Sequence, residues 1–106
     1  MLDVTDQTFE AEVLASTLPV LVEFTAPLCR PCRTIEPILA DLGREHEGRL
    51  RLACLDIDEN HGVPSRYGVL SLPTVIVFSH GEPVETILGA QPRRRYAEAV
   101  QRALVA

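Results

Sequence analysis

Tryptophan and lysine are missing from this 106-residue chain, and aromatic residues make up only 5% of it. Without tryptophan there is no indole whose fluorescence could follow a change of state, and none to offer a stacking surface. All ten basic residues are arginine, which points to genome composition and is a weak argument for thermostability, because the thermophile signal includes lysine enrichment. Long apolar runs are lacking too. The longest, around Leu18 to Val22 and Val75 to Phe78, fall far short of the roughly 20 residues that cross a bilayer. The start, Met1-Leu2-Asp3-Val4-Thr5-Asp6, lacks the basic and apolar segments of a secretory signal, so a cytoplasmic location is expected.

Positive charge is also short. The net charge of −5 argues against nucleic acid as the main partner. The one basic cluster, Arg93-Arg94-Arg95, reads as a solvated helix face, with a docking patch as the alternative. Three cysteines make an odd number, which does not suit a framework of structural disulfides and does suit working thiols in a reducing compartment. No repeat, linker or low-complexity segment breaks the chain. With 46% apolar and 24% charged residues it is an ordinary globular sequence, and residues 1–106 are expected to form a single domain.

What is present is a sequence of alternating elements. A short strand is expected at residues 2 to 4, then a helix from about Asp6 to Ala15 capped by Thr5, with Phe9, Val13 and Leu14 on one face. Pro19 opens a buried strand through Thr25. The helix starting near Arg30 carries Ile35, Ile38, Leu39 and Leu42 at helical spacing, is expected to kink at Pro37, and stops at Gly43 or near His46 to Gly48. Arg49 to Ile57 reads as a strand, and Asn60 to Tyr67 as a short helix with Pro64 in its first turn. Leu72 to Ser79 and Val84 to Leu88 read as a hairpin around His80-Gly81-Glu82-Pro83. After Gly89, Pro92 starts a last amphipathic helix with Tyr96, Val100 and Leu104 inward. The fold class is α/β: a mixed central sheet of four to five strands flanked by four helices.

Cys29-Arg30-Pro31-Cys32 falls at the carboxyl end of the first long strand, where open α/β sheets place their sites. Two residues three apart on a first helical turn lie roughly 5 to 6 Å apart, within reach of a disulfide. The free N–H groups and the positive end of the helix dipole favour a thiolate there. A thiol that is both ionised and closable is a redox centre. His46, His61 and His80 lie near a helix end, in a short helix and in a turn, with no metal-ligand spacing to the thiols.

Nearly the whole chain resembles the thioredoxin family. The likeness is carried by Val22-Glu23-Phe24-Thr25-Ala26, Cys29-Arg30-Pro31-Cys32, Pro37-Ile38-Leu39, Asp56-Ile57-Asp58-Glu59-Asn60, Tyr67-Gly68-Val69, Leu72-Pro73-Thr74, Phe78 with Gly81, and Gly89. The resemblance implies a protein-disulfide reductase working by dithiol–disulfide exchange, with an exposed Cys29 as nucleophile and a buried Cys32 as resolving thiol. It implies a buried carboxyl beneath the pair at Glu23, where the family usually has aspartate. Such a group could take the proton of Cys32; the alternative is a Glu23 reaching solvent at a strand edge. It further implies a cis Pro73, against about 5 to 6% of X-Pro bonds in general, with a trans proline opening an edge strand as the alternative. A cis bond would present the Leu72 backbone to an extended substrate. Leu28, Arg30, Pro31, Leu72, Pro73, Gly89 and Ala90 are the implied substrate-binding residues. No cofactor is implied on this chain. The implied partners are disulfide-containing proteins and a thioredoxin reductase carrying flavin and NADPH, with the chain itself a monomer.

The chain departs from the family pattern in four places. Thr25 and Leu28 stand where tryptophans are usual. Cys54 stands where many relatives have a lysine paired with the buried carboxylate; without that cation Glu23 should hold its proton more firmly. Cys54 reads as a small buried hydrophobe, with a third redox thiol as the alternative. Arg30 replaces the usual glycine and, by favouring the Cys29 thiolate, should make the disulfide a stronger oxidant. The rival functions are a disulfide oxidant or isomerase, a metal or iron–sulfur module using Cys29, Cys32 and Cys54, and a non-catalytic thiol-bearing interaction domain.

Overall fold

The apolar run that makes up β2 (Val20–Thr25) places it at the centre of the sheet. In the computed structural model, which describes residues 1–105, β2 pairs in parallel with β3 (Arg51–Asp56) and antiparallel with β4 (Thr74–Ser79). β1 (Leu2–Asp3) joins β3 in parallel and β5 (Glu82–Leu88) joins β4 antiparallel, giving a mixed five-stranded sheet in the order β1-β3-β2-β4-β5. The parallel pair β2 and β3 needs a crossover. α1 (Arg30–Glu45) supplies it.

Alternation along β2 divides its side chains between the two faces of the sheet. Leu21 faces α1 and α3 (Arg93–Val105), packing with Ile35, Leu39, Val75, Tyr96 and Val100. Val20, Val22 and Phe24 face the other way, against Phe9, Val13, Val63 and Phe78. By the same alternation Glu23 shares the face of Leu21, and its Cα partner on β3 is Cys54. α1 lies so close to β3 that a Cβ on Gly43 would run into the Leu52 side chain. The helix therefore passes through Gly43 and ends at Glu45, capped by His46.

The expected elements are all present, with local differences. The first helix is not a ten-residue α-helix: it is a π-type segment, Glu10–Leu14, in which Ala15 N donates to Glu10 O at 2.9 Å. Thr5 Oγ1 still caps the turn before it, accepting from Gln7 N and Thr8 N at 3.2 Å. The short helix is trimmed to α2 (Gly62–Arg66) and is capped by the Asp6 carboxylate, which accepts from Gly62 N at 2.9 Å and Val63 N at 2.8 Å. β5 begins at Glu82, two residues earlier than expected, because a register irregularity between Val77 and Phe78 absorbs Pro83 into the ladder. The arginine cluster is a free solvated face only at Arg94, which is exposed with no ion pair among the described residues. Arg93 pairs with Asp41 and Glu45 of α1, and Arg95 approaches Glu85, which also binds Arg102.

Candidate active site

β2 ends at Thr25, and the loop Ala26-Pro27-Leu28 delivers Cys29 to the N-cap position of α1. Two backbone donors fix it there: Cys29 N donates to Ala26 O at 3.2 Å, and Cys32 N donates to Cys29 Sγ at 3.2 Å. The second bond aims an otherwise unpartnered helix N–H at the sulfur, which favours negative charge on it. Pro31 fits in the first turn because the N–H it lacks has no partner there in any case. Cys29 and Cys32 are joined in a disulfide with their Cα atoms 5.3 Å apart, Cys29 partly exposed and Cys32 fully buried. Leu28 is 95% exposed beside them, and Arg30 and Pro31 are also exposed. The Arg30 guanidinium has no acidic partner among the described residues.

Glu23 is completely buried, which removes the strand-edge alternative. Neither of its carboxyl oxygens has a hydrogen-bond partner among the described residues. Glu23 borders a cleft of about 260 Å³, shared with Asp3, Arg33, Glu36, Cys54 and Asp56. Burial first, then the nearby Glu36 carboxylate, push the Glu23 carboxyl up to about 8, with Arg33 opposing them. Such a group changes charge near neutral pH.

Cys54 corrects the expectation of a buried hydrophobe. It is half-buried, and its Sγ donates to Asp3 Oδ1 at 3.0 Å. Burial first, then the Asp3 contact, push its thiol up to about 12, so it stays protonated where Cys29 reacts. Among the described residues no three His, Cys, Asp or Glu side chains gather in a way that could hold a metal.

The Leu72–Pro73 peptide bond is cis. Pro73 is buried and Leu72 half-buried, and Gly89 N donates to Pro73 O at 2.9 Å, so the two segments are tied to each other. Ala90 follows, exposed. The Leu72 backbone makes no hydrogen bond among the described residues. Leu70, 96% exposed two positions before Leu72, was not singled out in the sequence. Nor were Arg33 and Glu36. Arg33 Nη2 donates to Ala26 O at 2.6 Å and Pro27 O at 3.3 Å, while its Nη1 pairs with Glu36. Their spacing carried a signal: Glu36 follows Cys32 by four residues on one helix, hence on one face.

Comparison with known proteins decides the family. The thioredoxin family model matches residues 1–102. The chain is 40% identical over 101 residues to thioredoxin 1 of a Nostoc species, covering 95% of this chain and 94% of that one. Thioredoxin of Rickettsia bellii is 43% identical over 96 residues, with 91% of each chain covered. The chloroplastic M-type thioredoxin of Chlamydomonas reinhardtii is 43% identical over 101 residues, covering 95% of this chain and 72% of that one. The chain belongs to the thioredoxin family. It is a thiol–disulfide oxidoreductase that reduces protein disulfides by dithiol–disulfide exchange through Cys29 and Cys32, with disulfide-containing proteins as substrates and a reductase as partner. Neither the oxidant nor the metal-binding alternative is favoured.

Proposed function

We propose that Cys29 is the attacking thiol, Cys32 the resolving thiol and Glu23 the base that takes the proton of Cys32. The observation that carries this assignment is the unequal setting of two bonded sulfurs, one partly exposed at a helix N-terminus and one buried a turn further in. The Cys29 thiolate attacks a substrate disulfide, forming a mixed disulfide and expelling one substrate thiolate. Cys32 then gives its proton to the Glu23 carboxylate and attacks the Cys29 sulfur. The second substrate thiolate leaves, two electrons have passed to the substrate, and the Cys29–Cys32 disulfide remains.

Leu28, Arg30, Pro31, Leu72, Pro73, Gly89 and Ala90 form the docking surface in this reading. It is supported by the exposure of Leu28 and by the unpaired backbone of Leu72, which can accept an added strand. The same reading takes residues 1–106 as one domain acting as a cytoplasmic monomer, recharged by a reductase whose flavin and NADPH stay on that partner. No helix among the described residues is long and apolar enough to cross a membrane.

Insulin reduction with dithiothreitol as electron source tests the assignment. Cys29→Ser should abolish it, and Cys32→Ser should accumulate mixed disulfides on Cys29, read as mass shifts after alkylation. Activity persisting in Cys29→Ser would remove the assigned nucleophile.

A further inference from the structure

Glu23 is sealed from solvent on its own strand, so a proton taken from Cys32 needs a way out. The cleft of about 260 Å³ is that way, polar enough and large enough to hold water. Three elements present ionisable side chains to it: β1 with Asp3, β3 with Cys54 and Asp56, and α1 with Arg33 and Glu36, while Met1, just ahead of β1, completes the rim. From α3, Tyr96 comes near enough to feel Glu23, and its hydroxyl is occupied, donating to Gly89 O and accepting from Gln91 N.

Most of these groups are already committed. Asp3 accepts the Cys54 thiol, and Asp56 Oδ1 accepts Asp58 N at 2.8 Å. Glu36 differs in what it faces: it is partly exposed, one of its oxygens pairs with Arg33, and of the carboxylates lining the cleft it is the one whose side chain meets Glu23. Arg33 is itself pinned to the carbonyls of Ala26 and Pro27, on the loop that leads into Cys29. Glu36 is thus held in place at the wall of the cleft that Glu23 also lines, with its own side chain partly exposed.

We infer that Glu36, oriented by Arg33, is the positioning residue through which the buried Glu23 carboxyl exchanges its proton with solvent. The inference rests on the reading of Glu23 as the base for Cys32. After Cys32 has given its proton to Glu23, the neutral Glu23 passes that proton through the cleft to the Glu36 carboxylate. Glu36 releases it to bulk water, and both carboxylates are restored for the next cycle.

Release of a trapped mixed disulfide by Cys32, followed in single turnover at several pH values and buffer concentrations, tests this. Glu36→Gln should slow release about tenfold in dilute buffer, less than the loss of a direct acid–base group. Raising imidazole or acetate should restore the rate, since either fits the cleft and carries protons, and Glu36→Asp should keep most of it. A Glu36→Gln rate equal to wild type, or a slow one that buffer does not restore, overturns the inference. Glu23→Gln separates the two layers. A normal rate there removes Glu23 from the reaction and the relay with it, whereas slow Glu23→Gln beside normal Glu36→Gln overturns the relay alone.

Discussion

The two faces of the sheet are built to different ends. The face under the π-type segment and α2 is sealed and apolar, and holds every phenylalanine of the chain: Phe9, Phe24 and Phe78. Phe9 and Tyr67 both meet Phe78 edge-on, with ring centroids 5.4 and 5.1 Å from it. The face under α1 and α3 has an aliphatic core as well, but on β2 it accepts a carboxyl with no hydrogen bond beside a polar cleft. An unpartnered carboxyl in a core costs stability whenever it ionises. The sealed face carries the aromatic core, and the open face holds a destabilising group beside the cleft, below the paired thiols' strand end.

The comparison breaks most visibly on the sealed face. Phe78→Ala should cost about 3 to 5 kcal/mol, as large-to-small aromatic substitutions in cores do, read from urea unfolding. Activity per folded molecule should be unchanged; a loss below about 1 kcal/mol would mean that the aromatic cluster is not what holds this face.

Glu23→Leu sharpens the comparison from the other side. Glu23 keeps its proton in the folded chain up to about 8, while the unfolded chain releases it near the ordinary 4.5. Between those values the unfolded state binds fewer protons, so wild-type stability falls as pH rises, by at most about 1.4 kcal/mol per pH unit. The difference between wild type and Glu23→Leu should therefore grow across that window in favour of the variant and level off above it, while release by Cys32 slows. Parallel stability curves would show that Glu23 ionises freely in the fold.

Arg30→Gly touches neither face and should have the smallest effect. Its exposed, unpaired guanidinium next to Cys29 is expected to raise the potential of the dithiol by about 20 mV relative to glycine. Equilibration with glutathione measures it, and a wild-type potential equal to or below that of the variant would refute the effect.

Much of this arrangement could be read from the chain. The apolar run of β2, the helical spacing of Ile35, Leu39 and Leu42 and the placement of Cys29 and Cys32 are local signals, and the structure keeps them. Less legible were features decided between distant segments. Asp6 capping α2 from 56 residues away leaves no local trace, and neither does Arg93 reaching Asp41 and Glu45 across the gap between two helices. The polarity of Cys54 depends on Asp3, a neighbour brought in by the pairing of β1 with β3. The place of Glu36 in the cleft wall was hidden because a charged residue at a helix surface looks solvated until the cleft beside it is known.

The Asp6 cap also fixes how the molecule opens. α2 is a helix of five residues, far too short to persist by itself, and its first two amides are held by a side chain 56 and 57 residues earlier in the chain. Asn60 ties the same two segments again, accepting from Asp6 N at 2.8 Å. Detaching the first six residues therefore also exposes the α2 amides. In hydrogen-exchange terms the N-terminal segment and α2 are expected to open together as one unit, because the same side chains tie both.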